Sequence, residues 1–144
     1  MYTVDYFIKK FEAIPEAKWL VMSRSDGYAR CAYGWCYATH KEAKETEEGL
    51  GKISDEEVAL TVLVRSLNSE FAAGGINNGI YSRYQQPTPK QRILAALYDV
   101  KRMQLPTYED IRSSLAVLPI DETSDSKTYY ALLPVEYPDG PCRD

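Results

Sequence analysis

The sequence of 144 residues, 44% hydrophobic and 26% charged, has the length for one ordinary domain and the composition of a globular protein, which excludes a fibrous repeat or a largely disordered chain. A net charge of −4 and a pI near 5.1 exclude diffuse attraction of the whole chain to nucleic acid or anionic lipid, so neither partner is expected. Twelve of the aromatic residues are tyrosine, against three phenylalanines and two tryptophans, so most ring surface carries a polar tip suited to a wet interface. No run reaches the eighteen apolar residues of a membrane span, and three cysteines are too few for a disulfide framework, so a cytoplasmic protein is expected.

In chain order, Thr3 caps a helix expected over Val4 to Ala13, with Val4, Phe7, Ile8 and Phe11 on one face and Pro15 as its stop. Trp19 to Met22 reads as a strand leading into the Ser25-Asp26-Gly27 turn. Cys31 to Thr39 reads as a short buried helix, and the acidic stretch after it, to Gly49 and Gly51, as a solvated connection. Ser54 and Glu57 form a capping-box pattern opening a helix with Leu60, Leu63, Val64, Leu67 and Phe71 on one face, ended by Gly74 and Gly75. Gly74 to Gln86 is then a turn-rich loop, and Thr88, Pro89 and Gln91 start another helix to about Met103. Pro106 and Thr107 open a shorter helix through Leu115. Tyr129 to Val135 could add an edge strand, before an irregular acidic tail that begins near residue 119. The expected fold is therefore mainly α, one domain over 1–144, a compact bundle of about four to five helices with room for a small two-stranded β element.

The segment Arg30-Cys31-Ala32-Tyr33-Gly34-Trp35-Cys36, preceded by Ile14 to Trp19 and followed by Ile76-Asn77-Asn78-Gly79 and Gln86 to Leu97, resembles an uncharacterised family of short bacterial and phage proteins. In that family a Cys-Ala-Leu-Gly or Cys-Ala-Tyr-Gly segment opens a helix and an Asn-Asp pair precedes a later one; here Asn78 stands in place of Asp. The resemblance covers roughly Ile14 to Val100. It implies a small helical fold in a phage or bacterial setting and supplies no mechanism.

Three constellations carry chemistry. Cys31, Cys36 and His40 form the one close thiol and imidazole group, Cys36 and His40 falling at i and i+4, with Cys142 as a further thiol; a thiol- or metal-dependent hydrolase is the alternative this group allows. Packing cysteines are the bland account of the same residues. Thr107 to Arg112 after a helix would suit a helix-turn-helix, but the segment that follows is acidic where a DNA-reading helix is basic. The third group lies in the locally cationic stretch 71–107, where Asn77, Asn78, Tyr81, Arg83 and Tyr84 in a glycine-rich loop, with Lys90 and Arg92 at the next helix start, are the parts of an anion or nucleotide pocket. No catalytic set is complete, so the expectation is a small non-enzymatic binding protein without a cofactor or metal. Its partner is a host protein, including an inhibited host-defence component, or a sequestered nucleotide-like anion.

Overall fold

A computed structural model describes residues 2–106 and 108–116. They form two compact units, within Met1–Lys101 and Arg102–Asp144, with six α-helices among the described residues and no strand. The mainly helical bundle expected from the periodicity is therefore the fold. Helix α1, Val4–Glu12, starts where Thr3 Oγ1 accepts the Tyr6 N–H at 3.1 Å, and buries Val4, Phe7, Ile8 and Phe11. Pro15 leads into one 3₁₀ turn, Glu16–Lys18, which delivers Trp19 edge-on to the Phe11 ring at 5.2 Å.

The expected strand at Trp19 is a single bridge to Arg30, closed by Leu20 N to Arg30 O (3.1 Å) and Arg30 N to Lys18 O (3.0 Å). It goes no further because Met22 takes a left-handed backbone, φ 68°, and turns the chain away. The edge strand expected at Tyr129 to Val135, and the acidic tail, lie outside the described residues. The expected helix from Cys31 contracts to a 3₁₀ turn, Gly34–Cys36. Its burial is as expected, with Cys31, Ala32, Gly34, Cys36 and Tyr37 all inside, but Tyr37 and Thr39 are extended and Thr39 is the cap of the next helix. Glycine is required in that turn: a Cβ on Gly34 would collide with the Arg24 carbonyl oxygen.

The acidic stretch corrects the reading as a connection. It is helix α2, His40–Glu47, in which Thr39 Oγ1 accepts the Glu42 N–H at 3.1 Å, a capping pattern, and Lys44 pairs with Glu47 at 2.6 Å. Only Ala43 is buried, so the helix is a solvated one. Helix α3, Asp55–Arg65, has the expected Ser54 cap but stops nine residues before Gly74, because Ser66 and Asn68 turn the chain, Asn68 Oδ1 accepting the Glu70 N–H. Phe71 lies beyond the helix, against the rings of Tyr81 and Tyr84. The glycines expected to end α3 instead sit inside α4, Ala73–Asn78, which Gly79 closes at φ 77° while Ile80 N reaches back to Gly75 O. Helix α5, Pro89–Gln104, opens with Thr88 Oγ1 accepting the Gln91 N–H at 3.1 Å. Phe7 and Phe11 of α1, Leu60 and Val64 of α3, Ile76 of α4, and Ile93, Leu97 and Val100 of α5 are fully buried together, each such side chain contributing roughly 1.5–3 kcal/mol. In the second unit, α6 spans Tyr108–Ala116 and carries Arg112 over the Tyr108 ring at 5.6 Å.

Candidate functional site

The α4 end and the start of α5 hold the residues expected to form an anion pocket. Asn77 is fully buried: its Oδ1 accepts the Ala32 N–H at 3.0 Å, while its Nδ2 donates to Leu20 O at 2.8 Å and to Asn78 Oδ1 at 3.2 Å. One amide thus joins three chain segments. Asn78 Oδ1 also accepts the Met22 N–H at 2.9 Å. Arg92 lies across the end of α4, donating to Asn77 O from Nε (3.2 Å) and Nη2 (2.8 Å) and to Gln86 O from Nη1 (2.8 Å). Its guanidinium neutralises the carbonyl end of α4, a structural use of the charge. Lys90 reaches the Glu12 carbonyl of α1 at 3.0 Å.

The tyrosines are committed as well. Tyr81 accepts the Ala72 N–H at 3.0 Å and stacks against Phe71 with centroids 4.7 Å apart. Tyr84 is buried and donates to Asp99 at 2.6 Å, beside the Arg83 to Asp99 ion pair at 3.1 Å. Arg83 is about half exposed, and its guanidinium lies 5.4 Å from the Tyr84 ring, but Tyr81 is turned to the Phe71 side. The seven residues bond within the fold, to backbone atoms, to Asp99 and, for Asn77 and Asn78, to each other. Beside the half-exposed Arg83, this frame turns outward two large apolar side chains: Met22 is 80% exposed and Ile80 68%, one held by Asn78 and the other following the α4 terminus.

The thiols and the imidazole separate. Cys31 and Cys36 are both buried, and Cys36 Sγ sits 3.5 Å from Ala32 O. Burial pushes both thiols above the ordinary range, for Cys31 against the pull of the Gly34 and Tyr33 N–H groups. Buried neutral thiols of this kind pack; they are poor nucleophiles. Cys142 lies outside the described residues. Among the described residues no group of three or more His, Cys, Asp or Glu side chains is placed to hold a metal ion.

His40, at the first position of α2, turns instead to Ser25. Ser25 Oγ lies 2.6 Å from His40 Nδ1, and Arg30 Nε donates to the same nitrogen at 3.3 Å. An arginine N–H can only donate, so Nδ1 is an acceptor, the neutral ring carries its proton on Nε2, and the serine hydroxyl points its hydrogen at the imidazole. Arg30 is itself fixed, by Tyr37 O at 2.8 Å and by the Trp35 face at 4.4 Å. Burial, then Arg30 and Lys18, hold His40 below its ordinary range against the opposing charge of Asp26. Neither Ser25 nor Arg30 was singled out from the sequence. The available signal was the Ser-Asp-Gly turn that begins fifteen residues before the only histidine, and the missing one was the Thr39 cap that starts α2 at that histidine.

No helix among the described residues is long and apolar enough to cross a membrane. A scan against protein-family models finds no match for this chain, and comparisons with curated proteins and with solved structures find none either.

Proposed function

We propose that the chain is a small binding protein whose partner is another protein, anchored by Met22 and Ile80. The observation that carries this reading is the direction in which the Asn77 region spends its groups. Asn77, Asn78, Arg92 and Lys90 satisfy internal backbone atoms, and two large apolar side chains are left 80% and 68% exposed above them. Met22 holds that position on a left-handed backbone, a conformation that costs about 1 kcal/mol or more in a non-glycine residue and persists where its surroundings enforce it. Protruding methionine and isoleucine side chains fit an apolar recess, and Val21, 41% exposed, extends the same surface. A polar rim around an apolar centre is the usual anatomy of a protein interface.

A photoreactive residue at position 80, with position 62 on α3 as control, tests the reading in cells that supply the partner. The expected result is one polypeptide adduct from position 80 and none from position 62. With that polypeptide purified, Met22→Asp should weaken binding by ~30-fold or more, as loss of an interface anchor does. Heat on titration with nucleotides or inorganic phosphate, abolished by Arg83→Ala, would instead give the loop to a small anion and contradict the protein-partner reading.

A further inference from the structure

Ser25, itself buried, and the half-buried His40 line a cavity of about 540 Å³ together with Ser23, Asp26, Gly27, Lys41 and Lys44. Three features set the pair apart from an ordinary serine hydrogen bond. The hydroxyl is held 2.6 Å from an imidazole nitrogen that Arg30 fixes as an acceptor. The Gly27 N–H donates to the same Oγ at 3.0 Å, which favours negative charge on that oxygen. The turn carrying Ser25 is braced, with Asp26 Oδ1 accepting the Tyr28 and Ala29 N–H groups at 2.8 Å and the Gly34 turn closing behind Arg24.

We propose that Ser25 is a nucleophile with His40 as its base, and that the cavity takes small acyl esters carrying a negative charge. Ser25 Oγ attacks the ester carbonyl carbon while its proton passes to His40 Nδ1, whose single lone pair the longer Arg30 N–H contact gives up. The bond from that carbon to the leaving oxygen breaks, and the departing alcohol takes the proton from Nδ1. Water then attacks the acyl-serine, gives a proton to Nδ1, and releases the acid as Ser25 Oγ recovers its hydrogen; ester and water have become acid and alcohol. The lowered proton affinity of His40 keeps it in the neutral, accepting form at pH 7. Lys44 is occupied by Glu47, so Lys41, exposed on the cavity wall, is the group that faces the substrate's charge. This inference stands independently of the protein-partner reading, because its residues lie outside the Met22 and Ile80 surface.

The test is labelling of the full chain with a fluorophosphonate, in which Oγ bonds to phosphorus and fluoride leaves, followed by peptide mapping. A single adduct on Ser25 is expected, formed roughly a hundredfold more slowly in His40→Gln, the range typical of a lost general base. The wild-type rate should rise with pH through the histidine titration, and that rise should vanish in His40→Gln. With 4-nitrophenyl hydrogen succinate, Lys41→Ala should lower kcat/KM several-fold, more than it does with the neutral 4-nitrophenyl acetate. Absence of a Ser25 adduct in the folded wild-type protein would overturn the proposal, as would labelling of His40→Gln at the wild-type rate. Circular dichroism verifies that wild type and His40→Gln are both folded.

Discussion

The Asn77 region and the Ser25 corner use similar polar residues in opposite ways. Around Asn77 the amides, guanidinium and tyrosines are consumed by backbone carbonyls, N–H groups and Asp99, and the surface they build is apolar. Around Ser25 the hydroxyl and imidazole are bonded chiefly to each other and face a cavity. The difference teaches that residue types suited to a ligand become a frame when a helix end lies beside them. The α4 terminus exposes carbonyls that Arg92 satisfies, so a charge that would attract phosphate is already spent. The turn at Ser25 satisfies the Tyr28 and Ala29 N–H groups through Asp26 and the Gly27 N–H through Ser25 Oγ, which leaves the serine O–H to donate to the histidine.

Substitutions can break that contrast at either end, and Gly34→Ala should do most. Its Cβ would collide with the Arg24 carbonyl, immediately before Ser25, so a loss of about 3 kcal/mol or more is expected in urea unfolding, together with loss of Ser25 labelling. Mild acid should act next, through His40 at the Ser25 corner. His40 is held below its unfolded value of 6.5, so the unfolded chain binds the extra proton first: the contribution is whole above pH 6.5 and is lost as pH falls below it. The acid-induced drop in stability between pH 7 and 5 should therefore be smaller in His40→Gln than in wild type. Met22→Gly should separate binding from folding, because it relieves the left-handed backbone and removes the anchor. Stability should hold or rise by ~0.5 kcal/mol while partner binding weakens. Arg83→Ala should do least, since the ion pair with Asp99 is half exposed on the arginine side, and a change under about 0.5 kcal/mol is expected.

The helices with apolar faces were legible in the sequence because their caps and periodicity agree: Thr3 with Phe7 and Phe11, Ser54 with Leu60 and Val64, Thr88 with Ile93 and Leu97. α2 was overlooked because it buries only Ala43, so no apolar period marks it and its Thr39 and Glu42 cap stands alone. α4 was overlooked because two glycines and two asparagines of low helix propensity compose it, and tertiary burial of Ala73 and Ile76 outweighs that preference. Of the site, composition gathered Asn77, Asn78, Tyr81, Arg83, Tyr84, Lys90 and Arg92 into one neighbourhood but could not give the direction of their hydrogen bonds. The grouping of His40 with Cys31 and Cys36 assumed a continuous helix through Gly34. The extended Tyr37 and Thr39 break it and turn the imidazole toward Ser25.

The claim that the Asn77 region is a frame rests most directly on Asn77→Asp, which keeps the side chain's size and replaces the donor facing Leu20 O and Asn78 Oδ1 with an oxygen. Urea unfolding of this variant should show a loss of about 3 kcal/mol, the cost of unmatched polar atoms in a fully buried place. Wild-type stability combined with lost binding of a small anion would contradict the account and return Asn77 to a ligand site.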